Sequence, residues 1–90
     1  MSQLRKNSAK EKLNNGELVI AVACHDTDMI DVLGASGLVD VIWIEMEHGP
    51  VTWAMLSDIS RACDLWNMTS IVRVNNNDPW LVGRALDRGV

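Results

Sequence analysis

The chain alternates between short, mostly apolar runs and longer stretches in which apolar residues recur every three or four positions. Three such runs occur, at Leu18–Cys24, Val39–Glu45 and Ser70–Val74. Leu18–Cys24 is apolar throughout and partly β-branched, as expected of a strand buried on both faces of a parallel sheet. We therefore predict three strands at these positions.

Amphipathic segments predict four helices, one before the first strand and one after each strand. The leading helix, over Leu4–Asn14, has only a weak apolar stripe and ends at a turn of two asparagines and a glycine. The second helix is capped by Asp26 or Thr27 and broken by Gly34 and Gly37. Its apolar residues are Met29, Ile30, Val32 and Leu33.

The third helix is capped by Thr52, and its predicted apolar face recurs in steps of four, three and four residues. That face comprises Met55, Ile59, Ala62 and Trp66. In the fourth helix Asp78 provides the cap, and Pro79 takes the first helical position, where a missing N–H does no harm. The predicted apolar face of this helix comprises Val82, Ala85 and Leu86.

This order of elements predicts an α/β fold, because strands that alternate with helices form parallel βαβ units. The pattern alone does not separate a closed barrel from an open doubly wound sheet, and no Gly-x-Gly-x-x-Gly follows the first strand to indicate dinucleotide binding. A complete eight-unit barrel needs about 250 residues, whereas this chain has 90. We expect a fragment of a longer protein, with a self-sufficient small α/β domain as the alternative.

Composition and charge narrow the classes of partner. The net charge of −4 disfavours nucleic acid, which needs a basic surface, and gives no attraction to anionic membranes. No apolar run is long enough to span a bilayer and the start is too polar for a signal peptide, so we expect a cytoplasmic protein. There Cys24 and Cys63 would stay thiols, and we expect both to be buried. A small anionic substrate would need a local cation or a metal to capture it.

Candidate catalytic residues stand where the second predicted strand ends. Glu45, Glu47 and His48 follow a buried apolar run directly, and chemistry in parallel α/β folds takes place at the carboxyl ends of strands. Residues two apart on a strand share a face, so Glu45 and Glu47 should point together while His48 diverges unless the turn re-aims it. A structural histidine, or a metal site made of these three residues, are the alternatives.

The third predicted strand also carries a charged residue near its carboxyl end, in this case a cation. Arg73 lies among β-branched residues, and a buried arginine must find an anionic partner. That partner is either Glu45 or Glu47 in a structural salt bridge, or a substrate carboxylate or developing oxyanion, which the guanidinium fork suits. At the end of the first strand we expect Cys24 and His25 to be an ordinary loop pair, with a place at the mouth of the same pocket as the alternative.

Five motifs together resemble the HpcH/HpaI aldolase family in their order and intervals, over essentially the whole chain. They are Lys12-Leu13 with Gly16, Ile44-Glu45-Met46-Glu47-His48-Gly49-Pro50, Val72-Arg73-Val74, Asn77-Asp78-Pro79 and Leu86-Asp87-Arg88-Gly89. The resemblance implies a (β/α)₈ TIM barrel. Residues 1–90 would then be the N-terminal part of one barrel domain, with its first three βα units behind a leading helix.

The same resemblance implies a carbon–carbon lyase that depends on a divalent metal ion (Mg, Mn or Co) and assembles as a homo-oligomer, usually a hexamer. Such enzymes reversibly cleave a 2-oxo-hydroxy acid to pyruvate, or a related 2-oxo acid, and an aldehyde through an enolate. By resemblance, His48 is the catalytic acid/base, Arg73 holds the pyruvate oxygens and stabilises the enolate, and Asp87 orients the histidine.

The resemblance also marks a departure. The family commonly has aspartate where this chain has Glu45, so we expect Glu45 and Glu47 to act beside the substrate or behind the catalytic groups. The family's metal ligands, a glutamate and an aspartate, come from later strands, and we expect no metal site within these residues. Trp80, beside Pro79, could reach a subunit contact.

Two further hypotheses stay open at this point. The chain could be a non-catalytic fragment or interaction module whose strand edges pair with another polypeptide. It could also be an α/β domain that captures an anion through Arg73 without chemistry. The catalytic hypothesis makes one spatial demand, namely that His48, Arg73 and Asp87 meet around one cavity at one rim of the sheet.

Overall fold

Three parallel strands lie in the order β1-β2-β3, and helices alternate with them along the chain. A computed structural model describes residues 5–90. The elements are α1 (Ser8–Asn14), β1 (Ala21–Ala23), α2 (Thr27–Ser36), β2 (Val41–Glu45), α3 (Trp53–Leu65), β3 (Thr69–Arg73) and α4 (Pro79–Asp87). The predicted α/β class, with three βα units behind a leading helix, is confirmed.

The two faces of the sheet differ in their surroundings. Ile42 and Ile44 of β2 are completely buried in a core that α2, α3 and α4 cover. Trp43 and Ile71 point to the other face, where 39% and 41% of each residue is exposed. Since side chains alternate along a strand, one face packs on the helices and the other stays open.

The first strand departs from its prediction. It comprises only Ala21–Ala23, and Leu18 and Ile20 ahead of it are 80% and 44% exposed. The prediction of a strand buried on both faces is therefore wrong for the described residues. An edge strand with one neighbour and one open face lacks the contacts that would bury a continuous apolar run.

Helix boundaries follow local chemistry closely. The leading helix begins at Ser8, after an Asn7 side chain that caps it, and ends at Asn14 as predicted; Leu4 lies outside the described residues. Asp26 caps α2, and Gly37 ends it in the left-handed conformation with a φ of 71°. The prediction that Gly34 also breaks this helix is wrong, because Gly34 lies inside it.

The buried face of α3 is offset from the predicted one. Its buried residues are Leu56, Ile59, Ser60 and Cys63, so only Ile59 is common to both sets. Trp66 lies beyond the end of the helix and is 38% exposed. Burial raises the pKa of the Cys63 thiol to about 11, whereas Cys24 is only half-buried.

The fourth helix begins as predicted. The carboxylate of Asp78 accepts from the backbone N–H of Trp80 at 3.0 Å, and Pro79 takes the first helical position. Of the predicted apolar face only Ala85 is buried, while Val82 and Leu86 are exposed. No helix formed by residues 5–90 is both long and apolar enough to cross a bilayer.

A close contact locks α2 to the end of α3. The indole N–H of Trp66 donates to a carboxylate oxygen of Asp31 at 2.8 Å, and the ring lies directly against Gly34. A Cβ atom added at Gly34 would lie 2.2 Å from Cγ of Trp66. The position therefore needs glycine for space, although its backbone is helical.

We predict that Gly34→Ala lowers the free energy of unfolding by about 1–3 kcal/mol, because the ring must move to admit the methyl group. Gly83→Ala is the matched control, since that helical glycine faces open space. The control should gain about 0.5–1 kcal/mol from helix propensity. Urea unfolding of both variants measures the difference, and equal stabilities would contradict the proposed contact.

Candidate active site at the carboxyl ends of β2 and β3

The strand register places Glu45 directly opposite Arg73, at the carboxyl ends of β2 and β3. The guanidinium meets the carboxylate with two hydrogen bonds, from Nε to Oε1 at 3.0 Å and from Nη2 to Oε2 at 2.5 Å. Such a two-pronged pair fixes the plane of the guanidinium as well as its position. The site is therefore built on a rigid ion pair between neighbouring strands.

The Glu45 carboxylate also shapes the loop that follows it. Its Oε1 accepts from the backbone N–H groups of Glu47 at 2.9 Å and His48 at 3.2 Å. The Arg73 hydrogen bond and then these two amides lower the pKa of Glu45 to about 2, and the same pair raises the pKa of Arg73. Both groups stay charged across the neutral range.

Two more side chains complete the cluster. The Glu47 carboxylate lies 3.4 Å from Nε of Arg73 and 3.4 Å from Nε2 of His48. Glu45 and Glu47 thus point together, as their spacing predicts, and Glu47 stands between the imidazole and the guanidinium. The His48 side chain is 71% exposed, and it leaves the sheet at the same rim as Arg73.

The turn after His48 depends on a glycine. A Cβ atom at Gly49 would lie 2.6 Å from the Glu45 carbonyl oxygen, so only glycine lets the chain fold back this closely. The backbone then returns to the core at Val51, which is 6% exposed. The loop that carries His48 is therefore short and anchored at both ends.

Arg73 keeps one edge of its guanidinium for another partner. Glu45 occupies the side formed by Nε and Nη2, and Nη1 donates to no group within residues 5–90. The edge formed by Nη1 and Nη2 can accept a second carboxylate with two parallel hydrogen bonds. The two interpretations of Arg73 are therefore compatible, since an internal ion pair leaves room for an external anion.

Asp87 does not join this cluster within one chain. It is the last residue of α4, which runs back from the carboxyl end of β3. The carbonyl oxygen of Gly89, two residues on, accepts from Arg5, and Val90 lines a cavity with Thr69, the first residue of β3. The expectation that His48, Arg73 and Asp87 meet at one rim is wrong for a single chain, because a helix after a parallel strand returns to the opposite rim.

The end of β1 adds two residues beside the ion pair. Cys24 and His25 line a cavity of about 80 Å³ together with Trp43 and Glu45. For the first two, the sequence allows a place in the pocket as the alternative to an ordinary loop pair. Trp43 cannot be identified in this way, because its position inside an apolar run gives no indication that its ring lies on the open face of the sheet.

Asn75 is the other residue that sequence reasoning missed. Its side-chain N–H donates to the carbonyl oxygen of Met46 at 3.0 Å, so the segment after β3 touches the loop after β2. A run of three asparagines at 75–77 indicates a loop, but nothing in it singles out the first one.

A divalent metal does not fit the described side chains. No group of three His, Cys, Asp or Glu residues comes together in the part of the chain that the structure describes. The oxygens of Glu45 are already held by Arg73 and by two backbone amides. The alternative of a metal bound by Glu45, Glu47 and His48 therefore fails on geometry.

We predict that Glu45→Gln reduces the free energy of unfolding at neutral pH and that this difference disappears in acid. The pKa of Glu45 falls from 4.5 to about 2 on folding, so its charged form stabilises the fold above pH 4.5 and loses that effect as pH falls toward 2. Asp58→Asn, which removes an exposed pair with Arg61, is the control. A difference independent of pH between 2 and 6 would refute the account.

The scan against protein-family models found no model that matches the chain. Among curated proteins, the chain is 41% identical over 59 residues to 2-dehydro-3,6-dideoxy-6-sulfogluconate aldolase of Pseudomonas putida. The match takes in 66% of this chain and 23% of that protein, so the chain spans about a quarter of its curated relative.

Two solved structures share the fold. Citrate synthase SbnG superimposes with a TM-score of 0.82 at 32% identity, over 94% of this chain and 35% of that one. An HpcH/HpaI aldolase from Desulfitobacterium hafniense DCB-2 gives 0.79 over 90% of this chain and 32% of that one, and at 23% identity this likeness concerns the fold. The chain is therefore similar in sequence to an aldolase and in fold to part of an HpcH/HpaI aldolase.

Proposed function

We propose that the protein carrying this chain is a carbon–carbon lyase that reversibly cleaves a 2-oxo-hydroxy acid to pyruvate, or a related 2-oxo acid, and an aldehyde. One observation carries the proposal. Within residues 5–90, Arg73 is fixed by Glu45 on one edge and keeps its other edge free, beside His48 at the carboxyl rim of a parallel sheet. The likeness to a named aldolase supports a lyase function in general.

Arg73 is the group that binds the 2-oxo acid in this proposal. Its free edge presents two N–H donors in the spacing of a carboxylate or of a carboxylate and an adjacent oxygen. As the enolate forms, negative charge grows on the former keto oxygen, and a guanidinium held in advance stabilises it without having to reorganise. Glu45 supports this role by keeping the guanidinium plane in place.

His48 moves the proton. Imidazole ordinarily titrates near neutrality and can both accept and return a proton during cleavage and addition. The Glu47 carboxylate lies 3.4 Å from Nε2 of this ring. The ring is exposed within residues 5–90, so we infer that other parts of the protein close over it and exclude water.

The divalent cation belongs to this proposal through the family resemblance. Its ligands would have to come from elsewhere in the protein, because the described residues offer no fitting set. When bound, such an ion would polarise the 2-oxo group. The part of this chain is to bind the acid through Arg73 and to carry the proton on His48.

We further propose that residues 1–90 are the first part of one barrel domain and that Asp87 serves a different copy of the protein. The exposed Asp87 lies at the rim opposite to His48 within one chain. If it orients a histidine, as the resemblance implies, that histidine must come from a neighbouring subunit. The proposed homo-oligomer would then be required for activity.

We predict that Arg73→Ala lowers the rate of pyruvate methyl-proton exchange with solvent about 10²–10³-fold, the usual loss when one stabilising donor of an oxyanion is removed. Arg73→Lys should recover little, because a single ammonium cannot hold Glu45 and a substrate in two planar pairs. Loss of the methyl signal in D₂O, followed by proton NMR on the whole protein, measures the rate.

Arg61→Ala is the control for this series, since Arg61 is exposed and pairs only with Asp58 among the described residues. It should exchange pyruvate protons at the parent rate. Exchange by Arg73→Ala at a comparable rate would remove Arg73 from the proposed mechanism. Anion binding with no exchange in the parent itself would favour an anion-binding domain without chemistry.

We predict that His48→Ala and Asp87→Ala complement each other. Each variant alone should lose aldol cleavage, by about 10²–10⁴-fold for the acid/base residue. In co-expressed mixed oligomers about a quarter of the sites would pair an intact His48 with an intact Asp87 from another copy. Mixed assemblies as inactive as the single variants would exclude the proposed role of Asp87 between subunits.

A further inference from the structure

At Met46, the backbone of the loop that carries Glu47 and His48 bonds to β3 and to the segment that follows β3. The Met46 backbone N–H donates to the Arg73 carbonyl oxygen at 3.0 Å, which continues the ladder of the two strands by one bond. Its own carbonyl oxygen accepts from the Asn75 side chain at 3.0 Å. The Met46 side chain is 4% exposed and sits in the core.

These contacts fix both peptide groups that flank Met46. The first follows Glu45 and the second precedes Glu47, so their orientation decides where both carboxylates and then His48 point. The Arg73 contact belongs to the regular strand ladder, whereas the Asn75 contact depends on a particular side chain. Asn75 also follows Arg73 by only two residues, so one short segment positions the guanidinium and the imidazole loop together.

The chemistry at this position requires an amide. The partner is a carbonyl oxygen, so the side chain must donate, and Glu45 and Glu47 nearby make a negative charge unfavourable. Aspartate has the same size but would oppose one acceptor with another. Glutamine retains the donor on a longer arm.

We propose that Asn75 is a positioning residue of this site, which holds the peptide after Met46 so that His48 stays beside the free edge of Arg73. The inference rests on the proposed function for its effect on catalysis. The clasp itself, between the Asn75 amide and the Met46 carbonyl, is a property of the loop and can be tested separately.

Hydrogen–deuterium exchange of the whole protein tests the clasp. In Asn75→Ala and Asn75→Asp the amides of residues 46–49 should exchange about fivefold faster, the factor expected from one lost neutral hydrogen bond. Asn76→Ala is the control, because within the described residues that side chain accepts only from the next backbone N–H. Equal exchange in the Asn75 variants and the control would overturn the proposal.

Kinetics test the positioning role. In pyruvate proton exchange, Asn75→Ala should lower kcat about tenfold with KM within about twofold, because misplacing the proton carrier slows the step more than it weakens binding. Asn75→Gln should recover part of kcat, and Asn75→Asp should not. A rise in KM with unchanged kcat, or parent kinetics in Asn75→Ala, would overturn the role.

The two readouts separate this inference from the function on which it rests. If the parent shows no proton exchange at all, the proposed aldol function fails and the positioning role falls with it, whereas the amide exchange still decides the clasp. If the parent is active and the loop of Asn75→Ala exchanges faster with kcat unchanged, the clasp stands and the positioning role is refuted.

Discussion

The two-pronged ion pair between Glu45 and Arg73 is the constraint on which the site depends. Parallel register sets the two residues opposite each other at the ends of β2 and β3. The carboxylate that fixes the guanidinium also accepts from the amides of the next turn, so one group orients the cation and the loop that carries His48. Without the pair, the strand ends would present the same residue types with no fixed geometry.

The hydrophobic core holds this arrangement in place. Ile44 and Met46 lie on either side of Glu45 and are buried in the core, so the polar rim is anchored by apolar neighbours in the same short segment. Helices cover one face of the sheet, while Trp43 leaves an apolar ring on the other.

Much of the fold could be predicted from sequence, because strands, caps and turns follow from local chemistry. Asp26, Gly37 and Asp78 lie where their capping and turn roles predict. The buried face of α3 differs from the predicted one because the elements that pack against a helix decide which of its faces is buried. Trp66, which was predicted to belong to that face, lies beyond the end of the helix. Burial of Leu18 depends on neighbouring strands, which the local sequence does not specify.

Part of the site could also be predicted from the sequence, because it follows from local chemistry. Glu45, Glu47 and Arg73 are recognisable as polar residues at strand ends, and their contacts follow from register. Asp87 could have been placed correctly from topology alone, since a helix that follows a parallel strand returns to the other rim. The contact of Asn75 with Met46 could not be predicted from the sequence, because it depends on the course of two loops.

The structure of the whole protein with oxamate, a pyruvate analogue, and a divalent cation tests the central claim most directly. We predict that the oxamate carboxylate lies on the Nη1 and Nη2 edge of Arg73 while Glu45 keeps the Nε side, with His48 at the same rim. Oxamate bound away from Arg73, or a Glu45 displaced from the guanidinium to admit it, would contradict the account.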